Sequence, residues 1–213
     1  MTQLIEWKIS NKLIDYDFAI SEMEKRVLKI KENSDRELVW LLEHNSIFTA
    51  GTSAKNKDLI NNKVNIRHTG RGGQWTWHGP GQRVVYIMIN LNNRKQDVRW
   101  FINCLEQTII DTLSHYSILG FRRKGLPGVW VKCIDNGKEK LNKIAAIGIR
   151  ISRWTTFHGI SININPSLSA FKDIVPCGVI DAGVTSMEEL GIKLSLDSFD
   201  KIYAENFNSI FNK

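Results

Sequence analysis

Val129-Trp-Val-Lys-Cys-Ile-Asp-Asn-Gly-Lys-Glu-Lys-Leu-Asn-Lys-Ile-Ala-Ala-Ile-Gly-Ile-Arg-Ile151 reads as two strands joined by a turn. Val129–Cys133 and Lys143–Ile151 are rich in β-branched and small apolar residues, and Asp135-Asn-Gly137 between them has the composition of a tight reversal. A hairpin is expected here. Just downstream, His158-Gly-Ile-Ser-Ile-Asn-Ile-Asn165 alternates apolar with small or polar residues, which predicts a further strand. Upstream, Glu37–His44 and Val84–Leu91 are short apolar runs of the kind that form buried strands. Helical spacing flanks them. Tyr16, Ile20, Met23, Val27 and Ile30 fall on one face of a helix, Val98, Phe101, Ile102, Leu105, Ile109 and Leu113 on one face of a second, and a third begins near Leu196. Helices and strands are thus mixed without a regular β-α-β alternation. The expected fold is α+β, a mixed and largely antiparallel sheet flanked by helices.

At 213 residues, and without a Pro- or Ser-rich linker or a repeat, the chain is expected to form a single domain over 1–213. Its 42% hydrophobic and 24% charged residues are globular values. The first residues lack a basic stretch followed by an apolar core, and no run approaches a membrane span, so the expected location is the cytoplasm, away from membranes. Three cysteines (Cys104, Cys133, Cys177) lack C-x-x-C or Cys/His zinc spacing, which argues against a disulfide framework and a bound metal. The formal charge of +7 favours an acidic partner. No basic run or basic amphipathic helix accompanies it, so nucleic acid is not the expected one.

Residues 70–81, Gly-Arg-Gly-Gly-Gln-Trp-Thr-Trp-His-Gly-Pro-Gly, hold five of the 15 glycines and match neither common nucleotide-loop pattern. Trp75, Trp77 and His78 between glycines suit either a slot for a long apolar ligand or a tight hairpin with core tryptophans. Cys177 lies in Val175-Pro-Cys-Gly178, where Gly178 leaves space beside the sulfur. It can be an accessible nucleophile or a small buried hydrophobe; Cys104 and Cys133, in a helix and a strand, read as core. A nucleophilic cysteine reacts as its thiolate, which an ordinary pKa of about 8.5 makes scarce at neutral pH. A partner base or cation is then needed. Lys143, opening an apolar strand, can supply it or can simply reach water from the strand's edge. His78 is open between support and ligand contact, whereas His158 falls in step with Ile160, Ile162 and Ile164 and reads as a core histidine.

Four blocks occur in order: Arg71-Gly-Gly-Gln-Trp-Thr-Trp-His-Gly-Pro-Gly-Gln82, Lys143-Ile-Ala-Ala-Ile-Gly148, Phe157-His-Gly159 and Pro176-Cys-Gly178. Together they resemble the signature of the lipoyl(octanoyl) transferase family, from about Glu43 to about Ser186. The resemblance implies a fold shared with biotin and lipoate protein ligases and transfer of an octanoyl group through a thioester, with Cys177 as nucleophile and Lys143 as its partner. It also implies an acyl site lined by Arg71, Gly72, Gly73, Gln74, Trp75, Thr76, Trp77 and His78, then Ala146, Ile147 and Gly148, and Gly159, Ile160 and Ser161. The implied donor is octanoyl-acyl carrier protein. The implied acceptors are lipoyl domains of 2-oxoacid dehydrogenases and the glycine cleavage H protein, with a monomeric enzyme and no cofactor, metal or ATP. Trp75 and Trp77 depart from the smaller aliphatic residue and the Tyr or Phe frequent in the family. Two rivals stand beside this reading: an ATP-dependent lipoate or biotin protein ligase, which would not need Cys177, and a non-catalytic module that binds acyl-carrier or lipoyl domains.

Overall fold

The structure, a computed structural model, describes residues 5–135, 137–176 and 182–211. Eight of its strands form one sheet: β1 (Glu6–Ile14), β2 (Leu38–His44), β6 (Gln82–Met88), β7 (Phe121–Arg123), β8 (Leu126–Asp135), β9 (Lys138–Ser152), β10 (Thr155–Asn163) and β11 (Gly183–Val184). Their spatial order is β1-β2-β6-β10-β9-β8-β7, with β11 pairing with β9. Only the β1–β2 and β9–β11 pairs are parallel, so the expected mixed, largely antiparallel sheet is present. A smaller sheet, β4-β3-β5, is built from β3 (Ile47–Ala50), β4 (Ile66–His68) and β5 (Trp75–His78).

Three helices cover the large sheet. The helix α1 (Tyr16–Lys31) starts where Asp15 Oδ1 accepts the Phe18 N–H at 2.9 Å, filling a donor that the first turn leaves open. Its buried stripe of Ala19, Met23, Val27 and Ile30 packs on Trp40, Leu42, Val84 and Tyr86, one face of the sheet. On the other face lie α2 (Val98–His115) and α3 (Leu196–Phe211), whose Phe101, Leu105, Ile109, Phe199, Tyr203 and Phe207 join Val85, Ile87, Val129 and Ile160 in the larger core. Along β6 the two faces alternate, as the pleat requires. Val84 and Tyr86 face α1, while Val85 and Ile87 face α2 and α3.

β1 was not expected from its sequence, Glu-Trp-Lys-Ile-Ser-Asn-Lys-Leu-Ile, which has no clear apolar alternation. It is an edge strand that leaves Ile9 and Leu13 exposed and pairs on one side only. With α1 and the parallel β2 it makes a single β-α-β unit, the crossover a parallel pair needs. Clasping this edge to the C-terminal helix, Arg83 is buried and ion-paired to Asp200 of α3, with a further bond from Nη1 to the Ser10 carbonyl at 3.3 Å. Removing one partner of such a pair strands a charge away from water. Asp200→Ala is therefore expected to lower unfolding free energy by about 3–5 kcal/mol in urea titrations, and Asp200→Ala with Arg83→Met should recover much of that loss.

Candidate active site

The large sheet's α1 face is cut away where small residues replace large ones. Ala146 pairs with Ser161 and Gly148 with Gly159 on β9 and β10, and Ser161 and Gly159 pair in turn with Val84 and Tyr86 on β6. Over this shallow floor folds the glycine-rich segment, held to the sheet by main chain. The Gly72 N–H donates to the Ile149 carbonyl at 3.0 Å, and a Cβ on Gly72 would stand 2.8 Å from that same oxygen, so only glycine permits the approach. Arg71 fixes the loop's shape from inside: its guanidinium donates to Thr49 Oγ1, the Thr49 carbonyl at 2.7 Å, the Gln74 carbonyl at 2.8 Å and the Gly72 carbonyl at 3.0 Å.

Between floor and loop lies a cleft of about 490 Å³, most of it space open to solvent. Arg71, Gly73, Gln74, Trp75, Thr76, His78, Ala146, Ile147, Gly148, Gly159, Ile160 and Ser161 line it, together with Tyr16, Val84, Tyr86 and His158. Gly72 stands behind the wall as the staple to β9. Trp77 does not line the cleft. Strand alternation along β5 sends both indoles into the small sheet's own cluster, where Trp75 donates to the Lys55 carbonyl at 2.8 Å and Trp77 to Ser46 Oγ at 2.9 Å. Thr76 and His78 point the opposite way.

A second, adjoining hollow shares Thr76, Ala146 and Ser161 with the first and is lined by Lys143, Ala145, Phe171, Pro176 and Val184 as well. Simple alternation would place Lys143 with Ala145 on the α2–α3 face. The register prevents this: Val129 pairs with Ala145 but Trp130 pairs with Lys143, leaving Ile144 as an extra residue. Such a bulge reverses which side the following residues face. Lys143, buried to 6% exposure, consequently sits on the cleft side, its Nζ 4.7 Å from the centre of the Trp130 ring and donating to the Pro127 carbonyl at 3.0 Å. The Pro127–Gly128 peptide is anchored at its other end too, since the Gly128 N–H donates to Glu106 Oε1 at 3.0 Å. Gly128 has φ +117, and a Cβ there would stand 2.4 Å from the Ala145 carbonyl oxygen. Cys177 lies outside the described residues; Pro176, its neighbour in sequence, shares the hollow with Lys143.

Two chains of hydrogen bonds order the polar wall. His44 Nδ1 donates to the Ile14 carbonyl at 2.8 Å, which leaves Nε2 to accept the Tyr86 hydroxyl at 2.8 Å. His78 Nδ1 donates to Gln82 Oε1 at 2.7 Å; Gln82 Nε2 donates to Asn163 Oδ1 at 2.9 Å, and Asn163 Nδ2 to the Thr185 carbonyl at 2.9 Å. That second chain ends beside Lys143, whose carbonyl accepts the Thr185 N–H at 3.0 Å. His158 differs from expectation. Its φ of +57 breaks the alternation of β10, so the ring leaves the side of Ile160 and Ile162 and meets Tyr86 at 6.3 Å on the cleft side. Burial, reinforced by His44 and then Arg71, pushes the His78 imidazole down to about 3. Burial, with Arg71 and Arg150, pushes His158 down to about 4. Both rings are neutral at pH 7. Sequence reading missed Tyr16, Tyr86, Gln82 and Asn163 as parts of this wall; the available signal was a hydroxyl and two amides inside otherwise apolar strand patterns.

The lipoyl protein ligase A/B catalytic domain family matches residues 15–208. An octanoyltransferase of Bradyrhizobium sp. (strain ORS 278) is 49% identical over 96% of this chain and 86% of its own length. The chain belongs to the octanoyltransferase family. An octanoyltransferase of Wolbachia pipientis wMel is similar to it at 48% identity over 98% of this chain and all of its own length. Among solved structures, the bipartite lipoate protein ligase of Thermoplasma acidophilum superposes with a TM-score of 0.70 over 98% of this chain and 85% of its own. At 12% identity, that likeness establishes the common fold of octanoyltransferases and lipoate ligases.

The depressed histidines couple stability to acid. A ring that stays neutral when folded binds a proton in the unfolded chain at about pH 6.5. The stabilisation they contribute is whole above that pH and is lost as pH falls toward 4 and then 3. Urea titrations across pH 7 to 4 should show falling stability, with a shallower slope in His158→Gln. Glu106→Ala should lower stability by about 1–3 kcal/mol, because the Gly128 N–H loses its acceptor.

Proposed function

We propose that the protein transfers an octanoyl group from a carrier-bound thioester to a lysine amine of a lipoyl domain, by way of a thioester on Cys177. The observation that carries the reading is Lys143, turned by the Ile144 bulge into a hollow that opens on an apolar cleft and shares its wall with Pro176. An enzyme of the octanoyltransferase family needs such a cleft for the chain and such a cation for the sulfur. Val84 and Ala146 supply apolar contact to the methylenes, and Tyr16 and the neutral His78 and His158 complete the wall without adding charge.

In the first half-reaction the Cys177 thiolate attacks the octanoyl carbonyl, forming a new C–S bond. The tetrahedral intermediate collapses with loss of the carrier's thiolate, which takes up the proton that Lys143 had drawn from Cys177. In the second, the uncharged lysine amine of the acceptor attacks the acyl-enzyme. An amide forms, the C–S bond breaks, and the amine's proton passes through Lys143 while Cys177 is released as thiolate. The incoming thioester is already activated, so ATP has no role in this scheme.

Donors of the scheme are acyl carrier proteins, and acceptors are lipoyl domains such as those of 2-oxoacid dehydrogenases and the glycine cleavage H protein. No helix among the described residues is long and apolar enough to cross a membrane. The proposed setting is the cytoplasm, with 1–213 acting as one monomeric catalytic domain.

Incubation with octanoyl-carrier protein followed by intact and peptide mass spectrometry should place one octanoyl group on the Cys177 peptide, cleavable by hydroxylamine. Cys177→Ser that transferred at the wild-type rate would end the thioester route. Lys143→Met should keep the fold by circular dichroism and lose on the order of 10²–10⁴-fold in kcat. Octanoylation from free octanoate that required ATP would favour the ligase chemistry instead.

A further inference from the structure

The chain's positive charge is not spread evenly. Residues 121–143, the strands β7 and β8 and the first part of β9, carry seven lysines and arginines against two acids, and only Lys143 among the seven is buried. Both acids are already engaged within the hairpin: Lys132 Nζ lies 3.1 Å from Glu139 and Lys140 Nζ 3.5 Å from Asp135. Arg122 turns back to the buried Glu106 at 3.1 Å. Lys124 and Lys138 project into solvent at the two ends of β8. Arg123 stacks on Trp130 at 4.5 Å, and the same ring contacts Lys143 at 4.7 Å, so the basic hairpin touches the reacting end of the cleft at Arg123. A protein that carried its cargo on a flexible arm would have to dock close to this mouth.

We propose that the hairpin surface of β7, β8 and β9, through Arg123, Lys124, Lys132 and Lys138, is the docking face for the acidic carrier protein that brings the octanoyl thioester. The proposal rests on the transfer reading given above and adds where the donor binds. Opposite charge gathered at one place raises the encounter rate and orients the approach, and salt screens it over about 8–10 Å. Exposed side chains that make no contact with the cleft should then control the reaction with the whole donor and leave its chemistry alone.

The test compares Lys124→Glu/Lys132→Glu/Lys138→Glu with a control of equal charge change placed elsewhere on the exposed surface, Lys12→Glu/Lys29→Glu/Lys193→Glu. Each is assayed with octanoyl-carrier protein and with octanoyl-pantetheine, a small uncharged thioester. The hairpin variant is expected to lose roughly tenfold or more in kcat/KM for the carrier at low salt, to lose the wild-type salt dependence, and to keep wild-type rates with octanoyl-pantetheine. The control should behave as wild type with both. Equal losses in the two variants would reduce the effect to net charge and overturn the proposal, as would an undiminished hairpin variant. A loss seen only in KM for the lipoyl-domain acceptor would also overturn it and hand the face to the other partner. If wild type takes octanoyl from neither donor, the transfer reading itself fails, a result distinct from all of these.

Discussion

An extra residue in one strand decides what this fold can do. Ile144 has no partner across from it, and because of that the strand that supplies Ala145 and Ile147 to the main core supplies Lys143 to the opposite face. A sheet has no gradual way to make such a change, since the pleat offers only two sides. Around the bulge every group is tied to another. Gly128 provides the backbone that no other residue could adopt against the Ala145 carbonyl, Glu106 and Lys143 hold opposite ends of the Pro127–Gly128 peptide, and Trp130 lies along the amine. The lysine is thereby placed by main-chain geometry more than by its own long and flexible side chain, which carries considerable rotamer entropy when free.

The cleft it faces is mostly apolar at its surface, and its polar groups are quiet in charge. Arg71 is its one fully wrapped cation, and carbonyl oxygens and a threonine hydroxyl surround the guanidinium. Burial first, and then its field, keep both nearby imidazoles neutral. Neutral histidines have a settled tautomer, fixed here by Ile14 for His44 and by Gln82 for His78, so the wall presents a constant pattern of donors and acceptors. An acyl chain entering it meets no group that must change ionisation to accept it.

Much of this architecture was legible in the sequence, and the gaps have physical causes. The three helices and the strands β2, β6, β8, β9 and β10 announce themselves by period, because each buries one face or two in a large core. β1, β3, β4, β7 and β11 do not, being short, half-exposed or at an edge, where burial imposes no pattern. Among the site residues, the glycine-rich segment was readable as a ligand slot or a tight hairpin with core tryptophans, and features of both are present: its loop covers the cleft while both indoles pack in the small sheet. His158 was misread because parity assumes unbroken extended backbone, and a left-handed φ at that position defeats the assumption. Tyr86 and Asn163 escaped notice because a buried polar group declares itself only through its partner, and theirs, His44 and Gln82, are 42 and 81 residues away.

The stapling of the glycine-rich loop through the Gly72 amide has a bearing on how such a site can drift. Its curvature is specified by main-chain atoms, three glycines and one arginine, none of which depends on the side chains at 75 and 77. Those two indoles belong to a neighbouring packing problem, solved with Phe48, Phe171 and Ile174. Bulk at position 77 can therefore be traded against the small sheet, rewriting part of an apparently diagnostic motif while the contour felt by a bound ligand stays put.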